Sequence, residues 1–244
     1  MLGLDVGIES QAALLVEQIE SAGYGVVEGL LDAAALETAR GFVQKAIKAS
    51  SGAYVGFSGT DELAGSGLDV FGRSDSAFRA LTDRVYELGT GQKAPAVDYY
   101  RIMRCLTGHS AAEHSYVFHY DSYVLTILLP IEIPVTGQTG DLVMIPNTRG
   151  IRSSYGRNLL DKLALDNKAT QWVLRSLHSN KRLPITRLRL VPGSAYFFWG
   201  YRSIHTNEPC DAGSVRATAL FHFANPHSES PLYKRRRAAS KIQA

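Results

Sequence analysis

The chain has 244 residues, 45% of them hydrophobic, enough to build one large or two small domains around a core that needs no staples. Its net charge is +3, yet Lys234, Arg235, Arg236, Arg237 and Lys241 crowd into the C-terminal stretch LYKRRRAASKIQA with no acid, so the body without them carries −2. That near-neutral body argues against a nucleic-acid-binding domain, and two cysteines, Cys105 and Cys210, are too few for a disulfide framework or a Cys-rich zinc site. No apolar run reaches the roughly 20 residues that cross a bilayer, and the start lacks the charged-then-apolar layout of a secretory signal, so a cytoplasmic protein is expected.

In chain order, residues 10–22 carry apolar side chains at helical spacing with Ser10 placed to cap them, and GYGVVEG reads as a short strand. Asp32 caps a second expected helix, AAALETARGFVQKAIKAS. The Gly/Ser-rich residues 51–75 read as loop, and SAFRALTDRVYELGTG as a third helix. From residue 97 the character turns to β. The stretches VDYYRIMRCL, SYVFHYDSYVLTILLPIEI, GDLVMIPN, TRLRLVPGSAYFFWG and SVRATALFHFAN are rich in branched and aromatic residues and punctuated by Gly and Pro. Such spacing predicts a sandwich or jelly roll, with residues 150–180 as a helical insertion over one end. The expected organisation is a single domain over 1–232 and a basic tail over 233–244. The tail's cations suit an anionic surface, membrane or nucleic acid, but a solvated terminus is the simpler expectation.

The stretch HYDSYVLTILLPI, residues 119–131, starts a buried-looking strand with an imidazole and a carboxylate two residues apart. On a strand His119 and Asp121 share a face, with Tyr120 on the other. A third ligand is suggested by His205 in FFWGYRSIHTNEPC, after an aromatic strand and a Gly turn that can lead the chain back across a barrel mouth. Arg216 then shares a strand face with Thr218, opposite Val215, Ala217 and Ala219. A guanidinium on an inward face is costly unless an anion meets it, either a bound carboxylate or an acid such as Glu208 or Asp211. His222, deeper on that face, reads as a hydrogen-bonded core histidine, and His109 and His114 as solvated. Arg101 and Arg104 fall on opposite faces of YYRIMRCL, so one of them can point inward.

Together, H-x-D, a distal His and an R-x-T resemble the iron(II)/2-oxoglutarate-dependent dioxygenases. The block VPGSAYFFWGYRSIHTNEPCDAGSVRATALFHF is similar to the phytanoyl-CoA hydroxylase-like branch, with His205, Asn207 and Arg216 in register. GDLVMIPNTRG stands where that branch's first signature ends, with Asn147 and Thr148 in place of Gly-Ser. The resemblance implies a double-stranded β-helix, a jelly roll of cupin-like type that is mainly β with a helical N-terminal region. It implies Fe(II) held by His119, Asp121 and His205, with 2-oxoglutarate and O2 as cosubstrates. Arg216 is then expected to hold the far carboxylate of 2-oxoglutarate, with Thr218 and Asn207 beside it. The activity implied is hydroxylation of an unactivated C–H in a small-molecule substrate, with release of succinate and CO2. Asp121 suits hydroxylation, because halogenating relatives carry a small residue there. Arg149, Arg152 and Tyr155, in NTRGIRSSYGR, are candidate contacts to an anionic substrate, on a mobile cover hinged at Gly150 and Gly156. The alternatives are a non-catalytic, metal-containing jelly-roll module that binds a sugar or organic acid, and a cupin-type enzyme that activates O2 directly on a chelating substrate.

Overall fold

The computed structural model describes residues 7–50, 55–58, 61–107, 115–179 and 185–242. His109 and His114 lie outside the described residues. The first helix, α1, spans Ile8–Ala22 and buries Ala12, Leu15 and Ile19 on one stripe. It starts earlier than its capping pattern suggests. Gly7 occupies the N-cap without a side-chain bond and Ser10 sits inside the helix, because Ile8 already packs on the core. Gly23, at φ +93°, ends it by returning its N–H to the Ile19 carbonyl. The next helices are α2, Ala33–Ala49, and α3, Ala77–Thr90. Their caps are Asp32, which accepts from the Ala35 N–H, and Ser76, which accepts from the Arg79 N–H.

Among the described residues nine strands follow the chain: β1 Gly25–Val27, β2 Val55–Ser58, β3 Tyr100–Leu106, β4 Leu125–Glu132, β5 Leu142–Ile145, β6 Thr186–Leu188, β7 Ala195–Phe198, β8 Ile204–Asn207 and β9 Arg216–Phe223. They form a six-stranded sheet, β1-β7-β4-β9-β3-β2, and a three-stranded sheet, β6-β5-β8. Every strand pair in both is antiparallel. Strand β9 shows how the layers arise. Ala217, Ala219, Phe221 and Phe223 alternate onto the face covered by the N-terminal helices, while Arg216, Thr218, Leu220 and His222 alternate onto the face turned to the small sheet. Strand β4 is buried on both faces, so it reads as an almost unbroken apolar run. This is a jelly roll, mostly antiparallel sheet with a helical N-terminal layer.

Two expectations are corrected. The Gly/Ser-rich region expected as loop contains β2, which pairs with the edge of β3, and two short 3-10 turns, Asp61–Leu63 and Asp69–Gly72. His119 and Asp121 do not lie on β4, which begins at Leu125; the ligand pair precedes it. The C-terminal stretch expected as a solvated tail forms a helix, Pro231–Ile242, whose residues 231–236 are mostly exposed. The 150–180 insertion does form two helices, α4 Tyr155–Asp166 and α5 Lys168–Ser179, which makes Pro231–Ile242 α6.

Candidate metal centre

Between the two sheets lies a cavity of about 340 Å³, walled by β3, β4, β7 and β9 on one side and β5 and β8 on the other. His119, Asp121 and His205 meet in it, each offering a ligand atom within 4.8 Å of the others. The backbone explains the convergence. His119 and His205 form an isolated antiparallel bridge, each N–H donating to the other's carbonyl at 3.0 Å. Directly opposed residues on an antiparallel pair share a face. Their rings accordingly stand 4.4 Å apart. Asp121 is brought in by its own N–H, which donates to the Gly200 carbonyl at 2.9 Å.

Both histidines are oriented from behind. His119 Nδ1 donates to the Val117 carbonyl at 2.9 Å and His205 Nδ1 to the Ser203 carbonyl at 3.1 Å. A carbonyl can only accept, so Nδ1 carries a proton in each ring, and each Nε2 faces Asp121, at 3.7 and 3.4 Å. Burial, with His205 alongside, pushes His119 down to about 4, which keeps it neutral near pH 7. Burial by itself would raise the pKa of Asp121, but His205, His222 and His119 more than offset it and hold the carboxyl well below its ordinary value. Two imidazoles, neutral when they ligate, and one carboxylate on one side of a shared point fit a divalent iron and leave its other face open.

Thr126 and His222 complete the support. The Thr126 hydroxyl donates to Asp121 Oδ2 at 2.5 Å and accepts from His222 Nδ1 at 3.1 Å. His222 is therefore a hydrogen-bonded partner of the carboxylate's neighbour, as its place in the strand suggests. Gly200 is tied to the same spot, since a Cβ there would lie 2.3 Å from both Asp121 Oδ2 and Thr126 Oγ1. Thr126 stands out in sequence only as the lone hydroxyl in a buried aliphatic run, and Gly200 carries no signal beyond a turn.

Arg216 lines the far part of the cavity and is 4% exposed. Its Nε donates to the Gly140 carbonyl at 2.8 Å, and no described residue accepts from its two terminal nitrogens. Neither acid that could have neutralised it does so. Glu208 is taken by Arg187 and His178, and Asp211 accepts from the Gln138 N–H. Burial pushes the guanidinium down to about 10. Gly140, at φ +71°, makes room for it, because a Cβ there would come within 2.4 Å of Arg216 Cδ. Thr218 and Asn207 line the same wall. The Asn207 side-chain N–H group donates to Ser115 Oγ and the Glu208 carbonyl.

The expected substrate contacts are placed elsewhere. Arg149, Arg152 and Tyr155 do not line the cavity. Arg149 is buried between the rings of Tyr120 and Tyr201, 3.7 and 4.3 Å from their centroids. It donates to the Tyr201 carbonyl, Asn158 and Asp161. Arg152 donates to the same Asp161 at 2.6 Å, and Tyr155 meets His227 and Tyr233 edge-on. These groups fasten the insertion to the barrel. It is also tied at α5. Gln171 donates to the Phe118 carbonyl at 2.7 Å and accepts the Phe118 N–H at 3.0 Å, and Arg175 donates to the Tyr116 carbonyl. The helices expected as a mobile cover thus grip the segment leading into His119.

No family model matches the chain, and no curated protein matches it in sequence. Solved structures do match. A prolyl hydroxylase from Trichoplax adhaerens, in complex with a hypoxia inducible factor oxygen degradation domain peptide fragment, is similar over 92% of this chain and 94% of its own, at TM-score 0.57 and 12% identity. A prolyl-4-hydroxylase from Pseudomonas putida is similar over 88% and 99%, at TM-score 0.56 and 12% identity. A 2OG-Fe(II) oxygenase family oxidoreductase from Burkholderia pseudomallei is similar over 91% and 92%, at TM-score 0.51 and 12% identity. The chain therefore has the jelly-roll fold that these oxygenases share.

Proposed function

We propose that the protein is a non-haem Fe(II) and 2-oxoglutarate-dependent dioxygenase that hydroxylates an unactivated C–H of a small, anionic substrate. The observation that carries this reading is the pairing of the His119, Asp121 and His205 cluster with Arg216 in one cavity, the latter's terminal nitrogens meeting no acceptor among the described residues. A metal-holding binding module has no use for a buried guanidinium with free terminal donors beside its ligands. The fold supports the superfamily, and the sequence block around His205, Asn207 and Arg216 supports its phytanoyl-CoA hydroxylase-like branch.

In this reading His119 Nε2, His205 Nε2 and one Asp121 oxygen hold iron, and Arg216 receives the far carboxylate of 2-oxoglutarate through two parallel N–H donors. Thr218 and Asn207 flank that carboxylate. The iron, when bound, supplies the activation of O2 that splits it between the two organic partners. One oxygen atom enters succinate as 2-oxoglutarate loses CO2, and the other enters the substrate as a hydroxyl. The apolar wall of Leu128, Leu142, Phe198 and Leu220 keeps water from the reacting carbon.

The test is succinate formation on adding Fe(II), ascorbate, 2-oxoglutarate and O2, across amino acids, acidic sugars and acyl thioesters. His119→Ala, Asp121→Ala and His205→Ala each remove turnover, and Arg216→Ala raises the apparent KM for 2-oxoglutarate on the order of 10²-fold while metal affinity is kept. Turnover without 2-oxoglutarate would assign the cavity to a cupin-type enzyme instead. Metal binding with no 2-oxoglutarate uptake would leave a binding module.

A further inference from the structure

Arg104 lines the same cavity and has no task in the chemistry above. It is the inward member of the Arg101 and Arg104 pair. Arg101 takes the other face, where a Cβ on Gly72 would run into its guanidinium. Across the sheet Arg104 sits between Gly56 on β2 and Thr218 on β9, so on its row one neighbour has no side chain and the other a short one. The guanidinium therefore has open space above it and is exposed at the cavity mouth, in contrast to buried Arg216. No described residue gives it a hydrogen bond or an ion pair. Its charge depresses the pKa of His119, His222 and Arg216, so it shares their cavity, bonded to none of them.

Charge balance gives this placement its meaning. Among the described residues Asp121 is the only carboxylate on the cavity wall, against Arg104 and Arg216. A divalent iron and a doubly negative 2-oxoglutarate cancel one another, and Asp121 balances one arginine. Among the charges on the wall itself a single positive one remains, on Arg104 at the exposed edge. Beside it the wall is aliphatic, with Leu106, Val117, Leu128 and Leu220.

We propose that Arg104 anchors a carboxylate of the substrate, and that the substrate is an aliphatic acid whose chain lies on the apolar wall with its carboxylate at the mouth. This rests on the function proposed above and replaces Arg149 and Arg152 as the source of anion recognition. The planar guanidinium fork matches a carboxylate bidentately, which a primary amide cannot reproduce.

The test uses the protein loaded with Mn(II) and 2-oxoglutarate without O2, probed by calorimetry with the straight-chain acids butyrate to octanoate and their primary amides. At least one acid is expected to bind about tenfold tighter than its amide, a preference that Arg104→Gln removes and Arg104→Lys partly keeps. In all three proteins the 2-oxoglutarate affinity stays within about threefold, as befits a residue that does not touch the cosubstrate. The assignment is overturned if no acid outbinds its amide, or if Arg104→Gln leaves the preference intact. It is also overturned if that variant weakens 2-oxoglutarate more than the acids, which would place Arg104 in the cosubstrate site. Failure of the unaltered protein to take up Mn(II) and 2-oxoglutarate shows before any acid is added. That result removes the proposed function and this assignment with it.

Discussion

Asp121 is fixed by groups from distant parts of the chain: the Gly200 carbonyl, the Thr126 hydroxyl, and His222 acting through Thr126. Partners of this kind orient a metal ligand, and their loss typically costs 10- to 100-fold in affinity. Gly200→Ala forces a Cβ into the space of Asp121 Oδ2 and Thr126 Oγ1. Fe(II) or Mn(II) affinity is expected to fall by about 10- to 100-fold in a titration while the circular dichroism spectrum is unchanged. Unaltered affinity would mean that Asp121 is not a ligand. Thr126→Val leaves the buried His222 Nδ1–H without an acceptor, costing about 1–3 kcal/mol of unfolding free energy in urea, and loosens Asp121 at the same time. Thr126→Ser restores both, which a simple packing role for the Thr methyl would not predict. The candidate ligands were legible in the sequence because few residue types can do that work. Thr126 and Gly200 were not, since a hydroxyl and an absent Cβ gain meaning only when Asp121 arrives beside them.

Among the elements, β9 was the most readable. Its strict alternation separates the cavity face from the helix face without reference to any other strand. Strand β2 was hidden, because its Gly/Ser-rich surroundings carry little propensity and its pairing is imposed by the edge of β3. The loop after β5 misled for a different reason. Sequence displays the cations Arg149 and Arg152, but Asp161, which neutralises both, lies on α4, and the rings that enclose Arg149 come from positions 120 and 201. Helix α5 carries a role no pattern announced. Gln171 satisfies both backbone groups of Phe118, one residue before His119. Gln171→Leu is expected to cost roughly 2–3 kcal/mol by leaving those buried groups unpaired. Amide exchange at Phe118 should quicken and Mn(II) affinity drop with it. A variant that loses stability but keeps full affinity would show that the clasp does not position the ligand.

At the scale of the whole molecule, the candidate centre joins the two sheets. His119 and Asp121 come from the segment before β4 in the large sheet, and His205 from β8 in the small one. An ion bound there ties them together and stabilises the folded state alone. At a free metal concentration about 100 times Kd, the gain is about 2.7 kcal/mol. For a chain of this size that corresponds to a rise of roughly 5–10 °C in Tm between chelator and Mn(II). His205→Ala should remove that rise. A metal-induced shift that survives the change would place the ion elsewhere.

Trp199 precedes Gly200 in the turn that positions Asp121; its indole N–H donates to Glu20 on α1, and its ring occupies the space left by Gly89 on α3. It is fully buried, whereas Trp172, the other tryptophan of the chain, is 70% exposed on α5. The molecule thereby carries two natural fluorophores in opposite surroundings, one at the junction of barrel and N-terminal helices and one on the insertion. Iodide reaches Trp172 and leaves Trp199 dark to collision, so quenching divides the emission into a barrel signal and an insertion signal. Followed through a denaturation series, their coincidence or separation tells whether the helices gripping His119 melt with the candidate centre or before it.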